Sequence, residues 1–401
     1  MRRGRESIPQ VSGLLTPRTC GIVSRPAGSY TGGVIKPLGT SAVVAHEAIH
    51  RLSLSGLAPL EFLRQVALRV DSIVRYDAGA WLTLDPATLL QTGAFIQGAG
   101  DSPGNLHLRY VDNELLAPDF MKLTDVARLP RPVVTLGDAT GGDVSRSVRH
   151  RTIHADLGVA HEVRAAFRDG ETTWGAFCAC RNEGQPDFSD AEKDFLAGIS
   201  QHVGHGLRLG LLLGTATRDE GRDTPGVIVL GADGSTESIT PEAEEWLTQI
   251  PRDKGACFEL PTVIHIAALH ARAVAAGTAT GQALSRIRLT SGRWLLVRAA
   301  QLRRGNGRAE RIAVILEPAH AAELAPLIIE LYELSPRERQ VTEMLLRGLP
   351  IEEIAASLWI SRHTVRDYTK AIFAKLGVGS RPELTAKLFH DHYLPTMNYA
   401  S

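Results

Sequence analysis

The feature that most constrains the fold of this 401-residue sequence is a run of four short predicted helices near the C-terminus, three of which carry clear start or stop signals. A serine that caps a first turn, a proline at the first helical position and a glutamate three residues after the cap satisfy the free amides of a helix start. Glycine after a last turn ends a helix. These signals are Ser335, Pro336 and Glu338 for the first helix, Ser361 for the third, Ser380 with Glu383 for the fourth, and Gly348 and Gly377 at two helix ends. The segment therefore predicts a small helical bundle.

The third of these helices has one apolar face and one basic face. Spacings of three and four residues place side chains on a common face of a helix. The apolar positions are Val365, Tyr368, Ile372 and Leu376, and the basic positions are Arg362, Arg366 and Lys370. Residues 334–390 contain nine Lys and Arg against six Asp and Glu. A solvated charged face is the ordinary explanation of such a pattern, so charge alone does not indicate nucleic-acid binding.

The complete pattern is more specific, and it closely resembles the LuxR-type helix-turn-helix family of the NarL and FixJ groups. The matching positions are Leu334 to Arg339, Gly348, Ile351 to Ala355, Leu358, Ile360-Ser361, Thr364 to Arg366, Lys375 to Val378, Ser380-Arg381 and Glu383-Leu384. The resemblance implies a four-helix DNA-binding domain at residues 330–395, with a recognition helix in the major groove. The residues it places at DNA are Ser361, Arg362, Thr364, Arg366, Asp367, Lys370 and Lys375.

Three residues depart from the family pattern. Pro350 stands where a small polar residue is usual, and Trp359 where a small or polar one is common. Both departures affect the geometry of the loops, because neither position contacts DNA bases in the family. Asp367 places an acidic group on the face toward DNA, where it repels phosphate but accepts a hydrogen bond from cytosine.

The composition of the whole chain restricts any nucleic-acid contact to a local surface. There are 44 basic and 44 acidic residues, so the formal net charge is zero, which argues against a protein that coats nucleic acid or membrane. The length predicts two to four domains. No apolar run reaches the length of a membrane span, and the first residues lack the apolar core of a secretory signal, so we expect a cytoplasmic protein.

The region before the helical segment predicts a tail and one α+β domain. Residues 1–45 have no sustained hydrophobic period, which predicts a mobile tail. Residues 46–214 predict helices, an antiparallel sheet and a long terminal helix. The predicted elements are a helix at Leu60–Val74, a strand at Ala78–Leu84 followed by a polar loop, a helix at Asp112–Leu123, a loop at Leu129–Asp156, strands at His161–Phe167 and Thr173–Cys180, and a helix from the capping box Ser189/Glu192 to Leu213. This domain resembles a GAF-type sensor through Arg75 to Trp81, Asp85-Pro86, His161 to Arg164 and Trp174-Gly175.

A second α+β unit is predicted at residues 225–320. Its elements are a strand at Gly226–Leu230, a helix at Pro241–Ile250 and strands at Arg286–Thr290, Trp294–Ala300 and Ile312–Leu316. This order of elements is similar to a PAS-like sensor fold, a similarity of pattern rather than of diagnostic residues. The fold class expected for the chain is therefore multidomain: α+β GAF-like and PAS-like sensor domains followed by an all-α, four-helix LuxR-type domain.

The sequence offers no catalytic or cofactor site. Gly137 to Gly142 lacks the Lys-Ser/Thr of a phosphate-binding loop, and no Gly-x-Ser-x-Gly nucleophile motif occurs. Cys178 and Cys180 share one face of a predicted strand, where we interpret them as small buried residues rather than a redox pair. His150, His154 and His161 lie close in sequence without a carboxylate or cysteine at ligand spacing, so no metal is assigned.

We therefore expect a non-enzymatic transcription regulator whose front domains sense a signal. Its expected partners are double-stranded DNA, a second copy of the chain through the long helix ending at Leu213, a small-molecule effector and RNA polymerase. The alternative is a small-molecule-binding or enzymatic front region with the helical C-terminus as a protein-interaction module. A phosphoacceptor receiver is a weaker third hypothesis, because no early pair of acidic residues and later lysine occurs at strand ends.

Overall fold

The chain forms two α+β units, each built on an antiparallel five-stranded sheet, and a C-terminal helical unit. The structure is a computed structural model. It describes residues 39–98, 106–213, 224–251, 260–303, 309–319, 323–324, 327, 330–332 and 334–384. We call residues 39–213 the first unit, 224–319 the second unit, 323–332 the connector and 334–384 the C-terminal unit.

The first unit has the strand order β2-β1-β5-β4-β3. Its helices are α1 (Gly39–Ser53), α2 (Pro59–Val70), α3 (Leu106–Leu116), α4 (Leu123–Val126), α5 (Leu136–Thr140), α6 (Ala155–Leu157) and α7 (Asp190–Leu213), and its strands are β1 (Ala78–Leu84), β2 (Gln91–Gln97), β3 (Val133–Thr135), β4 (Val159–Asp169) and β5 (Thr172–Asn182). All four strand pairings are antiparallel. Helix α7 packs on β4, and α1 and α2 pack on α7.

The core of this unit lies between the sheet and α7. Trp81 stacks on Phe177 with ring centroids 4.0 Å apart, and both rings are fully buried. Two glycines of α7 let the helix pack closely against α2 and β4. A Cβ at Gly206 would lie 2.2 Å from the Phe62 ring, and one at Gly204 would lie 2.4 Å from the backbone of β4. A side chain at either position would therefore force the helix away from its neighbours.

Several boundaries of the first unit differ from the sequence prediction. The predicted tail extends to residue 45, whereas α1 begins at Gly39 and buries Ala45; residues 1–38 lie outside the described part. The polar loop after β1 contains strand β2, and the helix expected at 112–123 is α3, which begins earlier. The loop expected at 129–156 contains β3, α5, a 3₁₀ turn (Val144–Arg146) and a π-helical turn (His150–His154). By contrast, β1 and the capping box before α7 are as predicted.

The second unit repeats the same strand order, β7-β6-β10-β9-β8. Its elements are β6 (Gly226–Leu230), β7 (Thr236–Ile239), α8 (Pro241–Gln249), α9 (Thr262–Ala275), β8 (Leu284–Arg288), β9 (Trp294–Arg303) and β10 (Ala309–Pro318). Strand β6 has the predicted bounds, β8 begins two residues earlier than expected, and β7 was not predicted. Trp246 of α8 is buried, and α9 packs against β9 and β10.

The two front units share a buried interface. Leu90 and Val111 of the first unit form one hydrophobic cluster with Ile266 and Leu269 of α9. Asp85, directly after β1, accepts a hydrogen bond from the backbone amide of Arg286 at 2.9 Å. The same carboxylate forms an ion pair with the guanidinium of Arg286 at 3.1 Å. Both side chains are buried, so the pair fixes the first unit to strand β8.

The C-terminal unit contains α10 (Pro336–Leu346), α11 (Ile351–Leu358) and α12 (Arg362–Leu376), followed by helical residues 381–384. The predicted bundle therefore forms, within the residues described. Across the described ranges, no helix is both long and apolar enough to cross a membrane.

Candidate nucleic-acid interface

Helix α10 begins at the predicted capping box and is tied to the end of α12. Ser335 Oγ accepts from the amide of Glu338 at 3.3 Å, and Glu338 Oε2 accepts from the amide of Ser335 at 2.6 Å. The same carboxylate forms an ion pair with Lys375 at 2.6 Å. Burial alone would raise the pKa of Glu338, but the hydrogen bonds from Lys375 and Ser335 outweigh it and hold the pKa below its ordinary value. Lys375 thus joins the two helices.

The turns of the bundle follow from local sequence. Gly348 and Gly377 adopt left-handed conformations at the ends of α10 and α12. Pro350, one of the departures from the family pattern, caps α11 in an extended conformation that proline favours, and its carbonyl accepts from the amide of Ile354 at 3.0 Å. Arg381 donates to the carbonyl oxygens of Leu345 and Leu349, both at 3.0 Å, and so satisfies acceptors at the end of α10.

Helix α12 presents the two predicted faces. Val365, Ile372 and Leu376 are buried against α10 and α11, whereas Tyr368 is half-buried. Arg366 and Lys370 are exposed on another face, and neither forms an ion pair with any residue that the structure describes. Charged groups without a partner are free to bind an external anion.

The other predicted site residues lie at the start of α12 or on its exposed side. Ser361 caps the helix, accepting from the amide of Thr364 at 3.0 Å, and the two hydroxyl oxygens are 2.8 Å apart. Arg362 is exposed and lies 3.7 Å from Glu352 of α11. Asp367 contacts His363 one turn earlier on the exposed surface, with the imidazole nitrogen 2.9 Å from the carboxylate oxygen. The structure brings six of the seven predicted residues to one exposed region of α12, and Lys375 lies at its far end.

The turn between α11 and α12 carries an unusual tryptophan. Trp359 ends α11 with φ 55° and ψ 42°, the left-handed region. Trp359 is 94% exposed. The sequence analysis noted Trp359 only as a departure that affects loop geometry, because the solvent exposure of a side chain cannot be predicted from the residue type alone.

The connector holds the C-terminal unit to the first unit. Leu324, Leu327 and Leu331 of the connector and Leu334 at the start of the C-terminal unit are buried in one hydrophobic cluster, which also contains core residues of both units. Arg208 of α7 donates to the carbonyl oxygen of Leu331 at 2.7 Å and to Asp169 at 2.7 Å. These contacts link α7 and the β4–β5 turn to the residues that precede α10.

A second contact continues this link into α10. Glu330 accepts hydrogen bonds from Thr172 at the start of β5 and from Arg339 of α10, the latter at 3.0 Å. One carboxylate therefore bridges the first unit and the first helix of the C-terminal unit. Sequence reasoning missed Arg208 and Glu330, because neither belongs to a motif.

The outer face of the first sheet is covered by a network of buried ion pairs. Glu162 pairs with Arg149 and Arg164, both at 2.8 Å, and Arg164 also pairs with Glu114 at 2.6 Å. Burial would raise the pKa of Glu162, but the two guanidinium groups hold it well below the usual range. His154 lies 3.6 Å from this carboxylate, and burial lowers its pKa to about 4.

The cysteines and histidines singled out in the sequence occupy this region or its edge. Burial raises the pKa of Cys178 to about 11 and raises that of Cys180 further, so neither thiol is ionised near neutral pH. His150 lies beside His154, whereas His161 contacts the carbonyl oxygen of Gln185 at 3.0 Å. Among the described residues, no group of three or more His, Cys, Asp or Glu side chains is arranged to hold a metal ion.

Comparison with known proteins identifies similarity in the C-terminal unit. Residues 332–388 match the family described as bacterial regulatory proteins, luxR family. The transcriptional regulatory protein UhpA of Escherichia coli (strain K12) is 43% identical over 56 residues, which are 14% of this chain and 29% of UhpA. The spore germination protein GerE of Bacillus subtilis (strain 168) is 40% identical over 55 residues, which are 14% of this chain and 74% of GerE.

Most of the curated relatives are matched over only a small part of their length. The chain spans 21% to 31% of four of the five. Among solved structures, the VqmA–ligand–DNA complex of Vibrio cholera is 18% identical, with 44% of this chain and 87% of that chain covered and a TM-score of 0.23.

Proposed function

Because this chain belongs, through residues 332–388, to the LuxR family of bacterial regulatory proteins, we propose that the whole protein is a sequence-specific transcriptional regulator controlled by its front units. The C-terminal unit is the DNA-binding domain of such a regulator. We propose further that the complete chain is not an enzyme and that it acts in the cytoplasm, where bacterial DNA lies.

The observation that carries the proposal is the exposed basic face of α12. Arg366 and Lys370 have no carboxylate partner among the described residues, while the buried face of the same helix holds it in the bundle. A rigid helix with an unneutralised basic face suits the major groove, where arginine reads guanine with two hydrogen bonds. We assign base contacts to Arg366 and phosphate contact to Lys370.

The remaining site residues have supporting roles in this proposal. Ser361, Arg362 and Thr364 lie at the start of α12, where hydroxyl, guanidinium and free amide groups suit a phosphate. Asp367 accepts a hydrogen bond from cytosine once it separates from His363. Lys375 differs from the others because its ammonium group pairs with Glu338, so its role in this proposal is to hold α12 against α10.

Control by the front units is supported by the connector contacts. A shift of α7 or of the β4–β5 turn would move Leu331 and Glu330, because Arg208 and Thr172 hold them. Arg339 transmits that movement to α10. We propose that the first unit is GAF-like and the second PAS-like, on the ground that each is a five-stranded antiparallel sheet with flanking helices.

The signal and the assembly state are further parts of the proposal. The effector is a small molecule, and RNA polymerase contacts the DNA-bound form. The homodimer expectation rested on apolar positions of α7, but Leu196, Ile199 and Val203 are buried within the first unit. Exposed apolar side chains lie on α1 and α2, at Val43, Val44 and Leu68, and at Leu213, the last residue of α7, and we assign the dimer contact to α1, α2 and this end of α7.

Salt-dependent binding of the full chain to duplex DNA tests the proposal. Neutralisation of phosphates by lysine and arginine releases counterions, so the logarithm of the binding constant falls steeply with the logarithm of salt concentration. A duplex selected by this protein from a random-sequence pool should bind with such a slope and more tightly than a scrambled duplex. Absence of duplex binding at low salt would contradict the proposal and favour the C-terminal unit as a protein-docking module.

A further inference from the structure

Trp359 occupies a position that the fold does not favour for tryptophan. The residue ends α11 in the left-handed region, at φ 55° and ψ 42°. Such a conformation costs an ordinary side chain roughly 1–2 kcal/mol, whereas glycine and asparagine adopt it more readily. A tryptophan at this turn therefore costs the bundle backbone strain that glycine would avoid.

The ring of Trp359 has no support from the rest of the structure. Trp359 is 94% exposed, and its indole ring makes no hydrogen bond or ring contact with the residues that the structure describes. The other four tryptophans of the chain, Trp81, Trp174, Trp246 and Trp294, are at most 4% exposed. Trp359 thus differs from every other tryptophan of this protein and is available to a partner.

The surroundings of Trp359 favour nucleic acid over protein as that partner. In the described part of the C-terminal unit, the only other exposed large apolar side chain is Leu346, at 37%. A protein contact needs a larger apolar patch. Trp359 instead lies two residues before the cap Ser361, at the end of α12 that also presents Arg362, which is 68% exposed.

We propose that Trp359 contacts the DNA backbone beside the groove that α12 enters. The indole N–H donates to a phosphate oxygen, and the apolar ring lies against a deoxyribose. An amphipathic ring suits a surface that alternates apolar sugars with charged phosphates. The inference rests on the proposed DNA-binding function and adds a contact that carries no sequence information.

Tryptophan fluorescence of the full chain tests the contact directly. Iodide should quench Trp359 selectively, because the other four indole rings are buried, and the variant Trp359→Phe should lose the quenchable signal. Saturation with a duplex of about 30 base pairs, selected by this protein from random sequence, should protect the signal from iodide. The duplex length of about three helical turns exceeds the span of one recognition unit.

Affinity measurements separate contact from mere shielding. Trp359→Asn should keep the turn and melt no lower than the unsubstituted protein, because asparagine tolerates the left-handed region. It should weaken binding roughly tenfold on the selected and scrambled duplexes alike, as expected for loss of a hydrogen bond to a charged group. Leu346→Asn is the matched control, because it removes an exposed apolar side chain from another part of the same unit. It should leave the affinity for both duplexes unchanged.

The outcomes distinguish the inference from the function on which it rests. Duplex binding with Trp359 still quenched, or with unchanged affinity in Trp359→Asn, would overturn the inference and leave DNA binding intact. A loss confined to the selected duplex would overturn the backbone assignment in favour of a base contact. Failure of the unsubstituted protein to bind any duplex would overturn both.

Discussion

We expect the substitution Arg208→Met to loosen the connector without unfolding the first unit. The guanidinium of Arg208 donates to the Leu331 carbonyl and to Asp169, both at 2.7 Å, and the side chains of Arg208 and Asp169 are only about a tenth exposed. The bond to the Leu331 carbonyl is the one that holds the connector, and a hydrogen bond to a charged group contributes about 1.5–3 kcal/mol. Because His205 still contacts Asp169 at 3.1 Å, that carboxylate keeps a polar partner, and we expect the main loss in the connector, at about 2–3 kcal/mol.

Hydrogen exchange measures this local effect, since a chain of several units does not unfold in one step. A loss of about 2–3 kcal/mol corresponds to roughly 30- to 150-fold faster exchange, and it should appear at the amides of residues 330–332. Arg131→Met is a matched control, because its ion pair with Asp194 is 44% and 72% exposed and is worth less than about 1 kcal/mol. Unchanged exchange at Leu331 in Arg208→Met would refute the role of this contact.

Two further predictions concern the stability of the C-terminal unit. The carboxylate of Glu338 has a pKa below its ordinary value, so its contribution is present above about pH 4.3 and is lost as the pH falls through the lowered pKa. Melting curves should show that Glu338→Gln has a lower melting temperature than the unsubstituted protein at pH 7. The difference in melting temperature should shrink below pH 4. A difference that stays constant with pH would contradict the pairing with Lys375. Val365→Ala should lower stability by about 1–2 kcal/mol, because Val365 is fully buried, and a melting temperature like that of the unsubstituted protein would place this residue outside the core.

The C-terminal unit was predictable because its signals are local. The capping box of Ser335 and Glu338 lies within one turn, and Gly348 and Gly377 end helices by their own conformational freedom. Strands β1 and β6 were predicted with their observed bounds for a related reason: each is an unbroken apolar or β-favouring run between turn residues.

Elements that depend on distant partners were missed. Strand β2, with the sequence Gln-Thr-Gly-Ala-Phe-Ile-Gln, shows no clear alternation and is mostly half-buried, so its pairing with β1 defines it. The segment predicted as a loop at 129–156 is ordered partly by Asp119, which accepts from the amides of Val148 and Arg149 at 3.2 and 2.6 Å. A separation of about thirty residues between these partners leaves no local pattern.

The candidate interface was predicted residue by residue, but its connection to the front units was not. Arg366 and Lys370 follow from helical spacing, whereas Arg208 and Leu331 meet only in the folded chain, across 123 positions. Likewise, the sequence places Trp359 at a turn but does not reveal that the turn leaves its ring in solvent.

Binding of the Arg366→Ala and Lys370→Ala variants to DNA tests the central claim most directly. Both side chains are exposed on α12, so neither substitution should alter the melting temperature. If Arg366 contacts guanine, Arg366→Ala should reduce the binding free energy by about 1–3 kcal/mol and relax the sequence preference at one base pair. If Lys370 contacts phosphate, Lys370→Ala should weaken binding to all duplexes alike and lower the salt slope of binding by about one unit.

The measurement is the fluorescence anisotropy of a selected and a scrambled duplex at two salt concentrations. Each duplex is titrated with the unsubstituted full chain, with each single variant and with the double variant. The account predicts that the double variant stays folded and loses both the preference for the selected duplex and most of its affinity. Unchanged binding by a folded double variant would contradict the assignment of α12 as the helix that reads DNA.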